Sequence, residues 1–192
     1  MSTPTIALDQ KTHTYYLEDK KIPGFTEICK DMGIISDNPY YTEQVRREGI
    51  ALHSWLLFKV QGKESKEPPH PSIAGRVRGI EKFIFDTGFS IAGGEVPKYD
   101  QESRFACTPD TWGHINGVSW VIDAKRGGKM PYHPLQTAAQ RIALASNGFR
   151  AQKRGTLYLA DDSYRLQEHK DPLDMLKWKA IVSAYYAKKS YI

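Results

Sequence analysis

Two aspartates and a lysine lie close together in the stretch CTPDTWGHINGVSWVIDAKRGG, which covers positions 107–128. Asp123 and Lys125 come at the end of a hydrophobic run that starts at Val118, and Asp110 comes before that run. Carboxylate oxygens are the hard ligands that Mg²⁺ and Mn²⁺ prefer. A lysine ammonium can stabilise negative charge that develops on a phosphate. These residue types therefore indicate a site for a divalent cation and a phosphate-containing substrate.

The dipeptide Asn116-Gly117 predicts how the chain brings the two aspartates together. Asn-Gly between alternating apolar residues is the strongest short-range signal for a two-residue hairpin turn. This turn pairs residue 115 with residue 118, and the same register places Asp110 opposite Asp123. Two like charges facing each other across strands destabilise a sheet, unless a cation binds between them. Pro109 cannot donate a ladder hydrogen bond, so a one-residue shift of this register stays open.

The two faces of the second hairpin strand differ in polarity. Val118, Trp120, Ile122 and Ala124 share one face, which we predict to be the core face, while Asp123 and Lys125 share the other with Asp110. The alternative is a surface hairpin that carries an Asp–Lys pair, since a D-x-K sequence by itself recurs by chance.

The rest of the chain predicts the elements that must position these residues. Strand patterns occur at 6–8, 13–17, 90–97, 104–110, 118–125 and 156–160. Helices are predicted at 26–33 with Thr26 as the cap, at 42–61, 71–87 and 134–147, and from Asp171-Pro172 onward, with a break at Asn38-Pro39. This order predicts one α/β (α+β) domain with a central mixed sheet flanked by helices.

The predicted domain spans residues 1–192 and has three parts. Residues 22–87 form an N-terminal helical part, 88–160 a sheet with its helix, and 161–192 a C-terminal strand and helix. The start MSTPTIALDQ lacks the pattern of a signal peptide, and no apolar run approaches a membrane span. Only two cysteines occur, which excludes a four-cysteine zinc or iron–sulfur site. We therefore expect a cytoplasmic protein without a membrane partner.

The positive charge of the chain is concentrated near the proposed site. The formal net charge is +5, and the window 125–160 contains no Asp or Glu. Such a window indicates an edge that faces phosphates. The basic residues expected to contact a phosphate backbone are Arg126, Lys129, Arg141, Arg150, Lys153 and Arg154.

The motifs resemble those of the PD-(D/E)XK nuclease superfamily. The core pattern stands here as Thr108-Pro109-Asp110 followed by Asp123-Ala124-Lys125. The stretch IPGFTEICK and the segment from Arg47 to His53 look like the N-terminal helical part of the RecB-type branch, which includes phage exonucleases. Glu95 in AGGEVPKY and Gln136 in HPLQTAAQ match two further motifs. The resemblance covers residues from 22 onward and implies a restriction-endonuclease-like core.

The resemblance also implies a role for each matching residue. The metal ligands would be His53, Asp110, Asp123 and the carbonyl of Ala124. Lys125 would be the catalytic lysine, and Glu95 would contact the metal through water or orient the nucleophile. Gln136 would position the substrate phosphate or Lys125.

Two positions depart from the family pattern, and several matches have a second interpretation. Cys107 stands where the family often has glycine, and Gln140 replaces a tyrosine, so no role is carried onto Gln140. His53 could instead be a core histidine, Glu95 a charge at a strand edge, and Gln136 a solvent-facing residue.

The function implied by the resemblance is a Mg²⁺- or Mn²⁺-dependent deoxyribonuclease. It would hydrolyse phosphodiester bonds in single- or double-stranded DNA without reading sequence, as an exonuclease of recombination, repair or phage DNA metabolism. A homo-oligomer or a recombination partner protein would be compatible with this role. The alternative is a nuclease fold without turnover, which serves as a DNA-binding or assembly subunit.

Overall fold

The computed structural model describes residues 6–36 and 42–190, so the break predicted at Asn38-Pro39 lies outside the described residues. The described helices are α1 (Phe25–Asp31), α2 (Glu43–Val60), α3 (Pro71–Thr87), α4 (His133–Ser146) and α5 (Leu173–Ser190). The strands are β1 (Ile6–Asp9), β2 (Thr14–Leu17), β3 (Lys20–Ile22), β4 (Ser90–Gly93), β5 (Lys98–Asp100), β6 (Phe105–Cys107), β7 (Thr111–Ile115), β8 (Val118–Lys125), β9 (Lys153–Ala160) and β10 (Ser163–Glu168).

The central sheet has five strands in the order β10-β9-β8-β7-β4. Strands β8 and β9 are parallel, and the other neighbours in this sheet are antiparallel. The crossover from β8 to β9 contains α4, as a parallel connection requires. The predicted α/β class with a mixed central sheet is confirmed. None of the described helices is long and apolar enough to cross a membrane.

The hairpin of β7 and β8 has the register that Asn116-Gly117 predicts. Residue 115 pairs with 118, and the ladder continues to the pair Thr111–Ile122. Asn116 and Gly117 have φ angles of 51° and 77°, which is the geometry of a type I′ turn. Asp110 therefore lies one position beyond the last ladder pair.

Two strands predicted from the sequence are shorter in the structure. The predicted strand 104–110 ends at Cys107 in β6, which pairs with β5 in a separate two-stranded sheet. Pro109 then separates β6 from β7, because proline cannot donate to a ladder. The predicted strand 90–97 ends at Gly93, and Glu95 lies in the connection to β5. The predicted cap Thr26 is also wrong, since Gly24 is the N-cap of α1.

Helices cover both faces of the central sheet. Trp120, Ile122 and Ala124 pack in a core that α2 and α3 close, which confirms the predicted core face of β8. The opposite face is also buried, since Val121 packs against Leu144 of α4. Asp123 therefore lies between layers, whereas the side chain of Lys125 at the end of β8 is partly exposed.

Candidate metal centre

Three potential metal ligands meet at the edge of the sheet where β8 ends. They are His53 from α2, Glu95 from the connection after β4, and Asp110 from the turn before β7, and their ligand atoms lie within 4.8 Å of one another. The Nδ1 atom of His53 is 3.3 Å from Glu95 Oε1, and its Nε2 atom is 3.5 Å from Asp110 Oδ2. The structure thus brings together three residues that are far apart in the sequence.

The backbone at the end of β8 fixes the orientation of Asp110. The amide N–H of Ala124 donates a hydrogen bond of 2.7 Å to Asp110 Oδ2, and the carbonyl oxygen of Ala124 is 3.3 Å from His53 Nε2. The amide of Glu95 donates to the carbonyl of Pro109 at 2.9 Å. A Cβ atom on Gly94 would lie 2.5 Å from the carbonyl oxygen of Asp110, so only glycine allows this close approach.

The electrostatics of the cluster favour a positive charge. Attraction to Asp110 raises the pKa of His53, burial opposes this shift, and the hydrogen bond to Glu95 adds to it. Burial raises the pKa of Asp110, the charge of His53 opposes that shift, and repulsion from Asp123 adds to it. A buried carboxylate with a raised pKa needs a cation beside it to remain ionised, and a divalent metal ion would meet this need.

Asp123 does not join the ligand cluster among the described residues, although the sequence predicts it as a metal ligand. Its side chain is fully buried on the α4 side of β8, where Oδ1 accepts a hydrogen bond of 3.0 Å from Gln140 Nε2. Oδ2 lies 2.9 Å from the ammonium of Lys125. Asp110 lies beyond the last ladder pair, and its carboxylate accepts from the backbone of Ala124.

Lys125 remains a cation in this environment. Burial lowers the pKa of its ammonium, but attraction to Asp123 and Asp110 outweighs burial and raises the pKa above its ordinary value. The side chain is 23% exposed, so the ammonium can reach a bound substrate. A lysine with a raised pKa is a poor general base, and it is suited to stabilising negative charge.

The glutamine that contacts the site is Gln140, one helical turn after the predicted Gln136. Gln136 is half-buried and makes no side-chain hydrogen bond within the described residues, whereas Gln140 is buried against Asp123. The sequence offers one signal for Gln140: it is a polar residue beside the predicted apolar stripe of α4, which contains Ala138, Ala139 and Ile142.

The predicted DNA-binding residues separate into two groups at opposite ends of β8 and β9. Arg126 and the exposed Lys129 follow Lys125 at the site end. Lys153 pairs with Trp120 in the parallel ladder, so it lies five residues, or about 17 Å, from the level of Lys125. Arg150 precedes it and is exposed, and Arg141 is half-buried in the second half of α4.

Arg154 is placed where it cannot contact DNA in this conformation. Its side chain is 2% exposed and pairs with Asp174 at 2.6 Å, and it donates to the carbonyl oxygens of Pro134 and Asp171 and to the hydroxyl of Thr137. This burial does not favour the predicted DNA contact of Arg154, because α4 and α5 cover the start of the inner strand β9. Arg154 instead joins these helices to the sheet.

Neither a scan against models of known protein families nor a search of curated proteins finds a match to this chain. Function is therefore inferred from the chemistry of the site. Glu95 Oε1 and Asp123 Oδ2 are buried acceptors, and each lies beside one cation or imidazole: Oε1 is 3.3 Å from His53 Nδ1 and Oδ2 is 2.9 Å from the Lys125 ammonium. Two carboxylates and an imidazole form a donor set that fits Mg²⁺ or Mn²⁺, and a carboxylate oxygen with one neighbour keeps a lone pair for a cation.

Proposed function

We propose that this protein is a metal-dependent deoxyribonuclease whose central sheet is a restriction-endonuclease-like core, similar to that of the PD-(D/E)XK nucleases. One observation carries the proposal: His53, Glu95 and Asp110 converge within 4.8 Å at the end of the strand that presents Lys125. A purely structural cluster would have no reason to combine two carboxylates, an imidazole and a nearby ammonium at an open edge.

The residues of the chain have separate roles in this proposal. His53, Glu95 and Asp110 hold the cation, and the amide of Ala124 keeps Asp110 in place. When bound, Mg²⁺ or Mn²⁺ activates water for attack on the phosphodiester and offsets charge on the leaving oxygen. Lys125 stabilises the charge on the phosphate. Asp123, which the sequence predicts as a further ligand, lies 2.9 Å from the ammonium of Lys125 and positions it in this proposal.

The substrate follows from the charge of the site and from its position. An edge that carries Lys125, Arg126 and Lys129 suits a polyanion, and no set of residues for reading bases is needed for hydrolysis of the backbone. We propose an exonuclease that acts in recombination, repair or phage DNA metabolism. The alternative is an inactive DNA-binding or assembly subunit, and the following experiment distinguishes it from an active nuclease.

The test compares end-labelled linear DNA with closed circular DNA, each in Mg²⁺, Mn²⁺ or EDTA. We expect cleavage of the linear DNA with either cation and none in EDTA, and we expect the circular DNA to resist an exonuclease. Cutting of both forms would identify an endonuclease. Binding of DNA without cleavage in either cation would contradict the enzymatic proposal and favour the inactive subunit. Lys125→Ala serves as the matched control for a contaminating nuclease, because it should remove the activity.

A further inference from the structure

An arginine-lined cleft opens beside the metal centre, at the end of β9 and the start of β10. It has a volume of about 460 Å³, and its walls include Arg76 of α3, Arg126 after β8 and Arg165 of β10. We call these three residues and the space between them the arginine cleft. Three arginines from three separate elements line this space, and only Arg126 is among the DNA-binding residues predicted from the sequence.

The three arginines differ in how tightly the protein binds them. Arg126 is held by Glu48 at 2.6 Å. Arg76 is 3.7 Å from Asp161, a weak pair, and its Nε atom is buried without a hydrogen-bond partner in the described chain. The guanidinium of Arg165 lies 4.8 Å over the ring of Tyr158. Within residues 6–36 and 42–190, no carboxylate pairs with Arg165.

Stacking leaves Arg165 ready to bind a phosphate. A guanidinium over an aromatic ring keeps its N–H donors in the plane of the group, where they can form a bidentate contact with phosphate oxygens. Arg165 is exposed, so solvent or a ligand can reach these donors. The stacked orientation also reduces the side-chain entropy that binding would otherwise cost.

The register of the sheet aligns Arg165 with the metal centre. Tyr158 pairs with Lys125 in the ladder of β8 and β9, and it pairs with Arg165 in the ladder of β9 and β10. Lys125, Tyr158 and Arg165 therefore form a row across three strands. With neighbouring strands about 4.8 Å apart, Arg165 lies about 10 Å from Lys125 along the row. A DNA strand covers this distance in about three nucleotides at an axial rise of ~3.4 Å.

We propose that the arginine cleft binds the phosphate backbone of a DNA strand about three nucleotides from the bond that is cleaved. This inference rests on the proposed nuclease function. It also gives the path of the DNA over the protein, which runs from Lys125 across β9 to β10 and the edge of the sheet. The contact is independent of sequence, because the cleft offers guanidinium groups and no defined set of base-reading amides.

The experiment measures the binding of a fluorescein-labelled single-stranded 20-mer in EDTA, where cleavage is absent, over a range of salt concentrations. Loss of one phosphate contact lowers the slope of log K against log salt by about 0.7 for a single strand. We expect Arg165→Gln to weaken binding about three- to tenfold with this change in slope, and Arg165→Lys to retain most of the slope. The matched control is Arg104→Gln, which removes a guanidinium that lies 4.5 Å over the ring of Tyr186 outside the cleft, and it should bind as the wild type does.

An affinity and a salt slope of Arg165→Gln equal to those of the wild type would overturn the proposal, as would failure of the wild-type protein to bind the 20-mer. Arg76→Gln provides a second position in the cleft and should lower the slope in the same direction. The proposed function can fail separately. If the protein binds DNA through the cleft but cleaves none in Mg²⁺ or Mn²⁺, the proposal of a DNA-binding cleft stands and the proposal of a nuclease is contradicted. Thermal unfolding of each variant shows whether it is folded.

Discussion

The two ends of the parallel strands β8 and β9 both carry charged residues, but these residues are used differently. At the end of β8, Lys125 and Asp110 are drawn into a cluster with unsatisfied acceptors nearby. At the start of β9, Lys153 is paired with Glu168 and lies over Trp120, while Arg154 is locked to Asp174. One end leaves charge in need of a ligand, and the other end satisfies its charge within the fold.

This difference shows why the acid-free window 125–160 was a partial guide to DNA binding. The window runs from the end of β8 through the crossover and along β9. Parallel strands begin at one edge of the sheet and finish at the other, so the basic residues that follow β8 and those at the start of β9 come to opposite edges. Positive charge at the first edge faces the site. Positive charge at the second edge is about 17 Å away.

The largest effect is expected for Asp110→Asn at the site end. Loss of this carboxylate removes a ligand of the proposed cation. A bound cation supplies several kcal/mol of transition-state stabilisation, so we expect DNA cleavage to fall on the order of 1,000-fold. Steady-state cleavage of end-labelled linear DNA in Mg²⁺ measures it. The stabilising effect of Mn²⁺ on thermal unfolding should also decrease. Cleavage by Asp110→Asn at the wild-type rate would contradict the assignment of Asp110 as a metal ligand.

The next effect concerns the remote end and is one of stability. Arg154→Met breaks a buried pair and leaves Asp174 with only the more distant Lys177, at 3.6 Å, as a cation, which costs about 3–5 kcal/mol. We expect the free energy of unfolding in urea to decrease by that amount. The double variant Arg154→Met/Asp174→Leu is the matched control and should recover much of the loss. If Arg154→Met kept its stability and bound DNA less tightly, the original assignment of Arg154 would return.

The sequence predicted the local features of the site end and missed the long-range ones. Asn116-Gly117 determines the register of β7 and β8, since a two-residue turn fixes which residues face each other. Whether Asp123 faces a metal or Gln140 depends on how α4 packs, and burial of Arg154 depends on α5. Neither packing arrangement is encoded in local spacing. Alternation along β8 likewise indicated one core face, although helices cover both.

Gln140→Ala tests whether the site end depends on a residue that does not touch the substrate. The change leaves the buried Asp123 Oδ1 without its donor, at a cost of about 2 kcal/mol, and should disturb the placement of Lys125. We expect kcat to fall about 30-fold while KM for DNA stays within twofold. The matched control is Gln136→Ala in the same helix. A larger loss for Gln136→Ala would restore the sequence-based assignment of Gln136.

His133 gives the region behind Lys125 a stability that depends on pH. Burial and, to a smaller extent, the nearby charge of Lys125 lower its pKa to about 4, although Asp123 opposes the shift. Below about pH 6.5 the unfolded chain therefore binds a proton that the folded protein rejects. The contribution of neutral His133 to the free energy of unfolding is fully present above pH 6.5, and it is lost as the pH falls toward 4.

We expect this loss to be ~1–2 kcal/mol between pH 7 and pH 5, after allowance for solvent screening. The measurement is urea unfolding at both pH values for the wild type and for His133→Asn, whose amide oxygen can replace Nδ1 as the acceptor for Tyr158. Comparing the two proteins removes the contributions of Asp110 and His169, which both retain. An equal pH dependence in the two proteins would show that His133 is not the titrating group.

The smallest effect is expected for the double variant Arg150→Gln/Lys153→Gln at the remote end. Both residues lie about 17 Å or more from the level of Lys125, and the ammonium of Lys153 already pairs with Glu168 at 3.2 Å. Charges farther away than a Debye length of about 8 Å are largely screened at physiological salt. We therefore expect KM for DNA to change by less than about twofold at 150 mM salt. A tenfold increase in KM would mean that the DNA spans the whole sheet, and the two ends of β8 and β9 would then belong to one binding surface.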